Sequence, residues 1–330
     1  MTTQSVLVLG AGSWGTALAL VLARKKNIVY LWDINLELIK SLKTEKTNMR
    51  YIPGVPFPKN IIPVESIEQV PLSTKMFVNS VPCYGLRSSL QLLKYFSDVN
   101  LCIACKGFEP GTQKFNHRVV EEELPSSNIA ILSGPSFAKE VGAGLPTAVT
   151  IAAKDLGVAK KFADLFHDDV FRIYTHNDVI GTQVGGAVKN VMAIAAGIAD
   201  GLGFGANTRS ALLTRGLAEI MRLGLALGAR QETFMGLAGL GDLVLTCTDN
   251  QSRNRSLGLL LAEGLSVNAA SEKIGQAIEG LRTANEVAVL AKKHGIEMPI
   301  IEQVNNVLQS RCSPHEAVKN LLTRGSKAEV

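Results

Sequence analysis

Cysteine is scarce in this chain, and the cysteines that are present form no pattern. The 330 residues include five cysteines, an odd number, whereas disulfide-stapled domains are cysteine-dense and use even numbers. Cys102 and Cys105 form a C-x-x-C inside the apolar run LCIAC. Residues three apart on a strand point to opposite faces, so this pair is not expected to share a metal or a disulfide. We therefore predict free thiols.

Several other signals are missing as well. Glycine or charge interrupts every apolar run before it reaches membrane-spanning length, and MTTQ leads into a strand without a signal-peptide pattern. These absences predict a cytoplasmic protein without membrane insertion. The net charge of +5 is mild and no Lys/Arg block resembles a nucleic-acid arm. No metal-ligand spacing occurs and the five histidines form no cluster, so we expect neither a nucleic-acid partner nor a metal.

Length and patterning predict two domains. A chain of 330 residues with 46% hydrophobic and 19% charged residues suits two cores better than one. Strands alternate with helices up to about residue 176, which predicts an α/β domain with a doubly wound parallel sheet. The pattern is then helical without a clear strand. We expect a Rossmann-type domain over 1–180 and an all-α domain over 181–330, an extended loop over 48–63, and turns rather than helix at the glycines of 236–241.

The first domain opens with a glycine-rich turn. A buried strand over 6–9 is followed by Gly10, Gly12 and Gly15 at G-x-G-x-x-G spacing, then by a helix and a second strand. Gly10 permits the tight turn, Gly12 lets a pyrophosphate approach the backbone, and Gly15 lets the helix pack on the sheet. The helix N-terminus offers N–H groups to the phosphates. The pattern predicts a dinucleotide site, although a turn that only packs helix on strand, or a site for another nucleotide-like ligand, stays open.

An acidic residue stands at the end of the second strand. Asp33 follows the last glycine of the motif by eighteen residues, where a carboxylate accepts hydrogen bonds from ribose hydroxyls. A carboxylate there repels a 2′-phosphate. Asp33 therefore favours NAD(H) over NADP(H).

Lys189 and Asp242 are the candidate catalytic residues of the second half. Lys189 interrupts a helix of small apolar residues, where an ammonium is costly to desolvate, so it must reach water or face a polar cavity. In a cavity it can exchange a proton with a substrate oxygen. Asp242 adjoins three apolar residues and needs a partner, for which Lys189 is the natural candidate. A surface lysine on a partly exposed helix remains the alternative.

Candidate anion-binding residues occur in both halves. Ser252, Arg253 and Asn254 combine a hydroxyl, a guanidinium and an amide, a set suited to phosphate or carboxylate. The alternative is a solvated loop with a helix cap at Ser252. Lys106 follows a strand and is either a second cation in the site or a solvent lysine. Because ligands lie beyond the carboxyl ends of parallel strands, we expect 81–82, Lys106 and 133–136 around one cleft.

Five motifs together resemble the NAD(P)-dependent sn-glycerol-3-phosphate dehydrogenases of bacteria over about residues 5–310. They are GAGSWGTALA, KGFEPGT, SGPSFAKE, GGAVKNVMAIAAGIADGLGFGANTRSALLTRGLAE and FMGLAGLGDLVLTCTDNQSRNR. The resemblance implies reversible reduction of dihydroxyacetone phosphate to sn-glycerol 3-phosphate for phospholipid synthesis. It implies NAD(H) or NADP(H) as cofactor, a homodimer, and a helical domain like that of 6-phosphogluconate dehydrogenase.

The resemblance also implies roles for individual residues. Lys189 matches the catalytic lysine, and we expect Asp242 to position it and Lys106 to polarise the carbonyl. The substrate-contacting positions are Lys106, Gly134, Ser136, Lys189, Asp242, Ser252, Arg253 and Asn254. Ser13, Trp14, Ala138, Arg253, Ala277 and Glu279 match cofactor-contacting positions of the family. The full set of predicted cofactor residues adds those of the glycine motif, the acid after the second strand and the lysine after a later strand: Gly10, Gly12, Gly15, Asp33 and Lys106. Asn190 and Thr246 are similar to polar active-site positions of eukaryotic relatives.

One departure concerns the cofactor. Many bacterial members carry His or Arg after a Trp-Gly at the end of the second strand, which suits NADP(H), whereas this chain reads Trp32-Asp33-Ile34-Asn35. Ile34 cannot bind a 2′-phosphate. Two other functions are left open: another two-domain dehydrogenase of the 6-phosphogluconate or β-hydroxyacid type, and a non-catalytic NAD-binding sensor.

Overall fold

The chain folds into two compact units in a computed structural model that describes residues 3–325. The N-terminal unit comprises Met1–Glu109 and Lys114–Gln183, and the C-terminal unit comprises Pro110–Gln113 and Val184–Val330. The short segment 110–113 belongs to the C-terminal unit because the Gly111 N–H and the Gln113 amide donate to Glu286, at 3.2 and 2.5 Å.

The N-terminal unit alternates strands and helices. Its strands are β1 Ser5–Leu9, β2 Ile28–Trp32, β3 Thr47–Asn48, β4 Ile52–Pro56, β5 Ile61–Val64, β6 Met76–Asn79, β7 Asn100–Ile103, β8 Asn128–Ser133, β9 Thr147–Ala152 and β10 Phe171–His176. Its helices are α1 Ser13–Arg24, α2 Leu36–Glu45, α3 Cys83–Leu90, α4 Asn116–Glu123, α5 Ala138–Ala143 and α6 Leu156–Phe166.

Eight of these strands form one sheet in the order β10-β9-β8-β7-β6-β1-β2-β5. Neighbours pair in parallel, except that β8 and β9 are antiparallel. The doubly wound sheet is thus confirmed with one reversed pair. The expectation of a loop over 48–63 was wrong, because β5 pairs with β2 at the sheet edge and β3 pairs with β4. Pro63 is tolerated in β5 because an edge strand needs no N–H on its open side.

The sheet is covered on both faces, and β1 shows how the sequence achieves this. Val6 and Val8 enter a core shared with α1, while Leu7 and Leu9 enter the core of the opposite face, shared with α3 and α4. Consecutive strand residues point to opposite faces, so an unbroken apolar strand predicts helices on both sides. Cys102 and Cys105 lie in these two different cores, and all five cysteines are free thiols.

The C-terminal unit is helical. Its helices are α7 Val179–Gly201, which begins in the N-terminal unit, α8 Ala206–Ala226, α9 Gln231–Met235, α10 Asp242–Thr248, α11 Arg253–Ala262, α12 Val267–Ile274, α13 Glu279–Lys293, α14 Pro299–Leu308 and α15 Pro314–Leu322. Up to residue 325, no strand follows β10. The expectation of an all-α second half is confirmed for that part of the chain.

Helix α7 is the central helix of this half. Within residues 3–325 it is the one helix that has the length and composition to cross a bilayer, but 94% of its most apolar window is buried inside the protein. Such burial is typical of a core helix, and core helices can have the same length and apolar composition as membrane-spanning helices. A lysine at position 189 therefore lies in the middle of a buried apolar helix.

Glu219 is a buried carboxyl group that makes the stability of this unit depend on pH. It lies on α8 and accepts the N–H groups of Ile300 and Ile301 at the start of α14, at 2.8 and 3.3 Å. Burial raises the pKa of Glu219 from 4.5 to about 7. Between these pH values the folded state binds more protons than the unfolded state, so this contribution to stability falls as pH rises.

We expect the variant Glu219→Gln to gain stability relative to wild type as pH rises from 4.5 to 7. The gain should total about 3 kcal/mol, since one pKa unit corresponds to about 1.4 kcal/mol. Urea unfolding of both proteins at pH 4.5, 6 and 7.5 measures it. A difference between the two proteins that does not change with pH would contradict the prediction.

Candidate active site

The glycine turn between β1 and α1 has the shape that a dinucleotide site requires. Gly10 has φ +94°, and its N–H donates to the Trp32 carbonyl at 2.8 Å. A Cβ on Gly15 would lie 1.8 Å from the Gly10 carbonyl oxygen, so only glycine lets α1 pack here. A Cβ on Gly12 would meet no atom within 4 Å. Protein atoms thus crowd the Cα atoms of Gly10 and Gly15, whereas, within residues 3–325, the space beside Gly12 is free of protein atoms. Such free space fits the close approach of a pyrophosphate to the backbone.

Ser13 and Trp14, the next two predicted cofactor residues, form the first turn of α1. Within residues 3–325, the buried indole nitrogen of Trp14 donates to no protein acceptor. Buried N–H groups are normally satisfied. The Trp14 indole N–H is an exception to this rule, in a side chain that packs against the core shared with α1.

Asp33 is held by the backbone of the turn itself. Its Oδ2 accepts the Ala11 N–H at 2.7 Å, and its Oδ1 accepts the Asn35 N–H at 2.9 Å. Each carboxylate oxygen can accept more than one hydrogen bond, so both can also receive ribose hydroxyls. Asp33 thus shapes the turn, which the motif did not reveal. The next side chain, Ile34, is 84% exposed.

The residues that follow β7 and β8 converge on one carbonyl oxygen. Lys106 Nζ donates to the Gly134 carbonyl at 3.1 Å, and Ser136 Oγ donates to the same oxygen at 2.9 Å. Gly134 has φ +132°, a conformation that L side chains rarely adopt. Ala138 begins α5 shortly after. The predicted grouping of Lys106 with 133–136 at the strand ends is present.

Lys189 and Asp242 form a buried ion pair, as the sequence predicted. Lys189 Nζ donates to Asp242 Oδ1 and, at 2.7 Å, to Thr246 Oγ1. The side chains of Lys189 and Asp242 are 8% and 1% exposed. Thr246 in turn donates to the Asp242 carbonyl at 2.6 Å. The Lys189 ammonium thus donates hydrogen bonds to two side-chain oxygen atoms at a buried position.

The contact depends on the close packing of α7 against the segment before α10. One turn before Lys189, a Cβ on Gly185 would lie 2.3 Å from the carbonyl oxygen of Ala238, and Ala238 stands four residues before Asp242. The absence of a side chain at Gly185 therefore brings the two backbones close enough for Lys189 to reach Asp242. The expectation of turns over 236–241 was wrong, because 237–241 form a π-helical turn that continues into α10.

Asn190 organises a second group of polar residues. Its Oδ1 accepts Asn254 Nδ2 at 3.0 Å, and its Nδ2 donates to Glu279 Oε2 at 3.3 Å. Asn254 Oδ1 accepts the Gly280 N–H at 2.9 Å. These bonds link α7, α11 and α13. Asn190 follows Lys189 directly, so this polar group adjoins the buried ion pair along the chain.

The start of α11 carries the candidate anion site. Ser252 Oγ accepts the Arg255 N–H at 3.2 Å and caps the helix, so the capping alternative is present in the structure. Arg253 is exposed, and its Nη1 lies 3.5 Å from Gln276 Oε1. Ala277 follows and is exposed. The guanidinium of Arg253 is therefore accessible for a ligand.

Arg255 and Arg253 have different environments that the sequence did not predict. Arg255 is buried, and its guanidinium donates to the Cys247 carbonyl at 3.2 Å and to Asp200 at 2.5 Å. It holds the loop that precedes α11, whereas Arg253 points to solvent. Both are arginines in SRNR, so the motif contains no signal that distinguishes them.

The buried histidine is structural. His117 Nδ1 accepts the Gln183 amide at 2.8 Å, and burial lowers the pKa of His117 to about 4. Residues 3–325 contain no group of three His, Cys, Asp or Glu side chains placed to hold a metal ion.

Comparisons with known proteins cover nearly the whole chain. Residues 5–159 match the family described as NAD-dependent glycerol-3-phosphate dehydrogenase N-terminus, and 178–319 match the corresponding C-terminus. Glycerol-3-phosphate dehydrogenase [NAD(P)+] of Nitrosococcus oceani is 52% identical, over 98% of this chain and 95% of its own. That of Thioalkalivibrio sulfidiphilus is 51% identical over 100% of both. The crystal structure of glycerol-3-phosphate dehydrogenase from Coxiella burnetii superposes with a TM-score of 0.94 at 44% identity, covering 98% and 99% of the chains.

Proposed function

Because the chain belongs to the NAD-dependent glycerol-3-phosphate dehydrogenase family, we propose that its N-terminal unit binds the dinucleotide and its C-terminal unit binds the substrate and transfers the proton. The reaction is the reversible reduction of dihydroxyacetone phosphate to sn-glycerol 3-phosphate with NAD(H) or NADP(H). The buried contact of Lys189 with Asp242 and Thr246 carries the proposal for the proton-transferring group.

Lys189 supplies the proton that the reduction needs. A dinucleotide held at the glycine turn would supply the hydride for C2 of dihydroxyacetone phosphate, and Lys189 Nζ donates a proton to the carbonyl oxygen. In the reverse direction the amine accepts the hydroxyl proton. Asp242 stabilises the charged form of the lysine and, with Thr246, fixes the position of Nζ.

The residues of the glycine turn hold the dinucleotide. The backbone N–H groups of residues 12–15, at the N-terminus of α1, face the pyrophosphate, with the side chains of Ser13 and Trp14 beside it. The Asp33 carboxylate accepts hydrogen bonds from the hydroxyl groups of the adenosine ribose. The further proposed dinucleotide contacts are Lys106, Ala138, Arg253, Ala277 and Glu279.

The substrate phosphate binds at the start of α11. The Arg253 guanidinium is exposed and offers paired N–H donors. Asn254 is held in place by Asn190 and the Gly280 N–H, and the Ser252 hydroxyl can donate while its oxygen caps the helix. In the N-terminal unit, Lys106, Gly134 and Ser136 complete the proposed set of substrate contacts.

We propose that the enzyme prefers NADH. Asp33 places a negative charge at the end of β2, and the exposed Ile34 offers no donor to a 2′-phosphate. The double variant Asp33→Ser with Ile34→Arg should raise the ratio of kcat/KM for NADPH to that for NADH by about tenfold or more, the effect of one charged hydrogen bond. Steady-state kinetics with both cofactors measures this ratio.

Two further variants distinguish the effect of a new positive charge at position 34 from the effect of removing the Asp33 carboxylate. Ile34→Arg alone retains the bonds of Asp33 to the turn and should improve the use of NADPH without loss of NADH activity. Ile34→Met adds no charge and serves as the matched control. A cofactor ratio that stays at its wild-type value in the double variant would show that other residues set the preference.

We also propose a cytoplasmic homodimer that supplies glycerol 3-phosphate for phospholipid synthesis. This proposal rests on the family resemblance and on a formal net charge and composition that call for no other partner. Light scattering of the purified protein at several concentrations tests the dimer. A mass of one chain at all concentrations would contradict it.

The absorbance of the reduced cofactor at about 340 nm tests the central proposal. Purified protein would receive dihydroxyacetone phosphate with NADH and, separately, with NADPH. Oxidation of either cofactor with formation of sn-glycerol 3-phosphate is expected. If folded, cofactor-binding protein oxidises neither, the substrate is another phosphorylated or acidic ketone.

A further inference from the structure

Asn48 is fully buried beside the glycine turn, although it comes from a distant part of the chain. It ends β3, and its Nδ2 donates to the Ala11 carbonyl at 2.9 Å and to Thr16 Oγ1 at 2.8 Å. Thr16 Oγ1 donates to the same Ala11 oxygen at 3.2 Å. The amide and the hydroxyl therefore converge on one backbone carbonyl of the turn.

The orientation of the Asn48 amide follows from its partners. A carbonyl oxygen can only accept a hydrogen bond, so the Asn48 atom that faces Ala11 must be the nitrogen. Asn48 Oδ1 is buried and, within residues 3–325, has no hydrogen-bond partner. An unsatisfied buried oxygen is costly. In the described part of the chain, the side chain of Asn48 thus leaves its oxygen unpaired while its nitrogen donates two hydrogen bonds, to the Ala11 carbonyl and to Thr16 Oγ1.

These bonds orient the peptide that joins Ala11 to Gly12. Asp33 holds the N–H of Ala11 at 2.7 Å, while Asn48 and Thr16 hold its carbonyl. In a trans peptide the carbonyl and the following N–H point in opposite directions, and the described chain contains no cis peptide. The Gly12 N–H is therefore directed away from Asn48.

We propose that Asn48 is a positioning residue for cofactor binding: by holding the Ala11 carbonyl, it aims the Gly12 N–H at the pyrophosphate. The inference rests on the proposed function of the glycine turn. Gly12 is the residue of that turn where a Cβ would meet no protein atom within 4 Å. The residue that directs the phosphate-binding amide thus belongs to the β3–β4 hairpin, outside the glycine motif.

Binding of ADP-ribose and of adenosine tests the inference. In Asn48→Ala the dissociation constant of ADP-ribose, measured by calorimetry, should rise about tenfold, the lower range for one hydrogen bond to a charged group. Adenosine, measured by displacement, lacks the pyrophosphate and should change less than about twofold. The KM for NADH should rise with the ADP-ribose constant, and kcat should change less.

Two further variants make the test specific. Asn48→Asp keeps the shape of the side chain but places a carboxylate against the Ala11 carbonyl, so it should weaken ADP-ribose binding without opening a cavity. The matched control is Asn60→Ala, because Asn60 Nδ2 donates to the Ala23 and Asn27 carbonyls, at 2.8 and 2.7 Å, at the other end of α1. The control should bind ADP-ribose like wild type.

Two results would overturn the inference: an ADP-ribose constant that stays within twofold of wild type in both Asn48 variants, or an equal loss of ADP-ribose and adenosine binding. The second would mean a general loosening of the unit. If the wild-type protein does not bind ADP-ribose, the pyrophosphate assignment of the turn fails, and this inference fails with it.

Discussion

Replacing Lys189 by alanine is expected to lower kcat for dihydroxyacetone phosphate reduction by about 10²–10⁴, the range for loss of a general acid–base group. The physical reason is that the Lys189 ammonium is held by Asp242 and Thr246 at a buried position, which makes it available for proton transfer in a fixed place. Turnover at saturating substrate and cofactor, followed at about 340 nm, measures the loss.

Stability must be separated from catalysis in this experiment. Lys189→Ala leaves the Asp242 carboxylate buried without its cation, and breaking a buried ion pair costs about 3–5 kcal/mol. The double variant Lys189→Met with Asp242→Asn removes both charges and should recover much of that stability while its kcat stays low. A double variant that recovers turnover together with stability would show that the pair is structural.

An exposed lysine of the same unit provides the matched control. Lys292 lies in the last turn of α13, and Lys292→Ala should leave kcat unchanged. Near-normal turnover in folded Lys189→Ala would exclude Lys189 as the proton donor.

Replacing Arg253 by alanine should raise KM for dihydroxyacetone phosphate by about 10–100-fold. A hydrogen bond to a charged group is worth about 1.5–3 kcal/mol, and each ~1.4 kcal/mol is a factor of ten. The Arg253 side chain is exposed, and its contact with Gln276 is long, at 3.5 Å, so its removal should disturb the fold little. The effect should therefore be a loss of substrate binding.

Dihydroxyacetone, which lacks the phosphate, tests whether Arg253 binds that group. Arg253→Ala should lower kcat/KM for dihydroxyacetone phosphate and leave the small kcat/KM for dihydroxyacetone nearly unchanged. Arg311→Ala, at another exposed arginine of the C-terminal unit, should change neither. If the variant loses activity equally on both compounds, Arg253 acts on another part of the reaction, for example on the cofactor.

Local sequence patterns predicted most elements of the fold. The apolar strand over 6–9 and the glycines at 10, 12 and 15 predicted the first β-α unit because strand and helix periods and glycine turns are local properties. The strands within 48–63 were missed because a proline-rich segment becomes a strand only where a partner strand accepts it: β5 joins the edge of the large sheet, and β3 pairs with β4. The reversed pairing of β8 and β9 was missed because local pattern does not encode strand direction.

The candidate site divides in the same way. The sequence alone determined the glycine turn and the acid at Asp33, and it indicated Lys189 as the natural partner of Asp242, because a carboxylate in an apolar segment requires a partner. The tertiary structure decided that Lys189 is buried and not on a partly exposed helix. Only the tertiary structure decided that Arg255 is buried while Arg253 is exposed, and that Asn48 holds the Ala11 carbonyl. These roles depend on contacts between residues far apart in the chain, which local spacing does not specify.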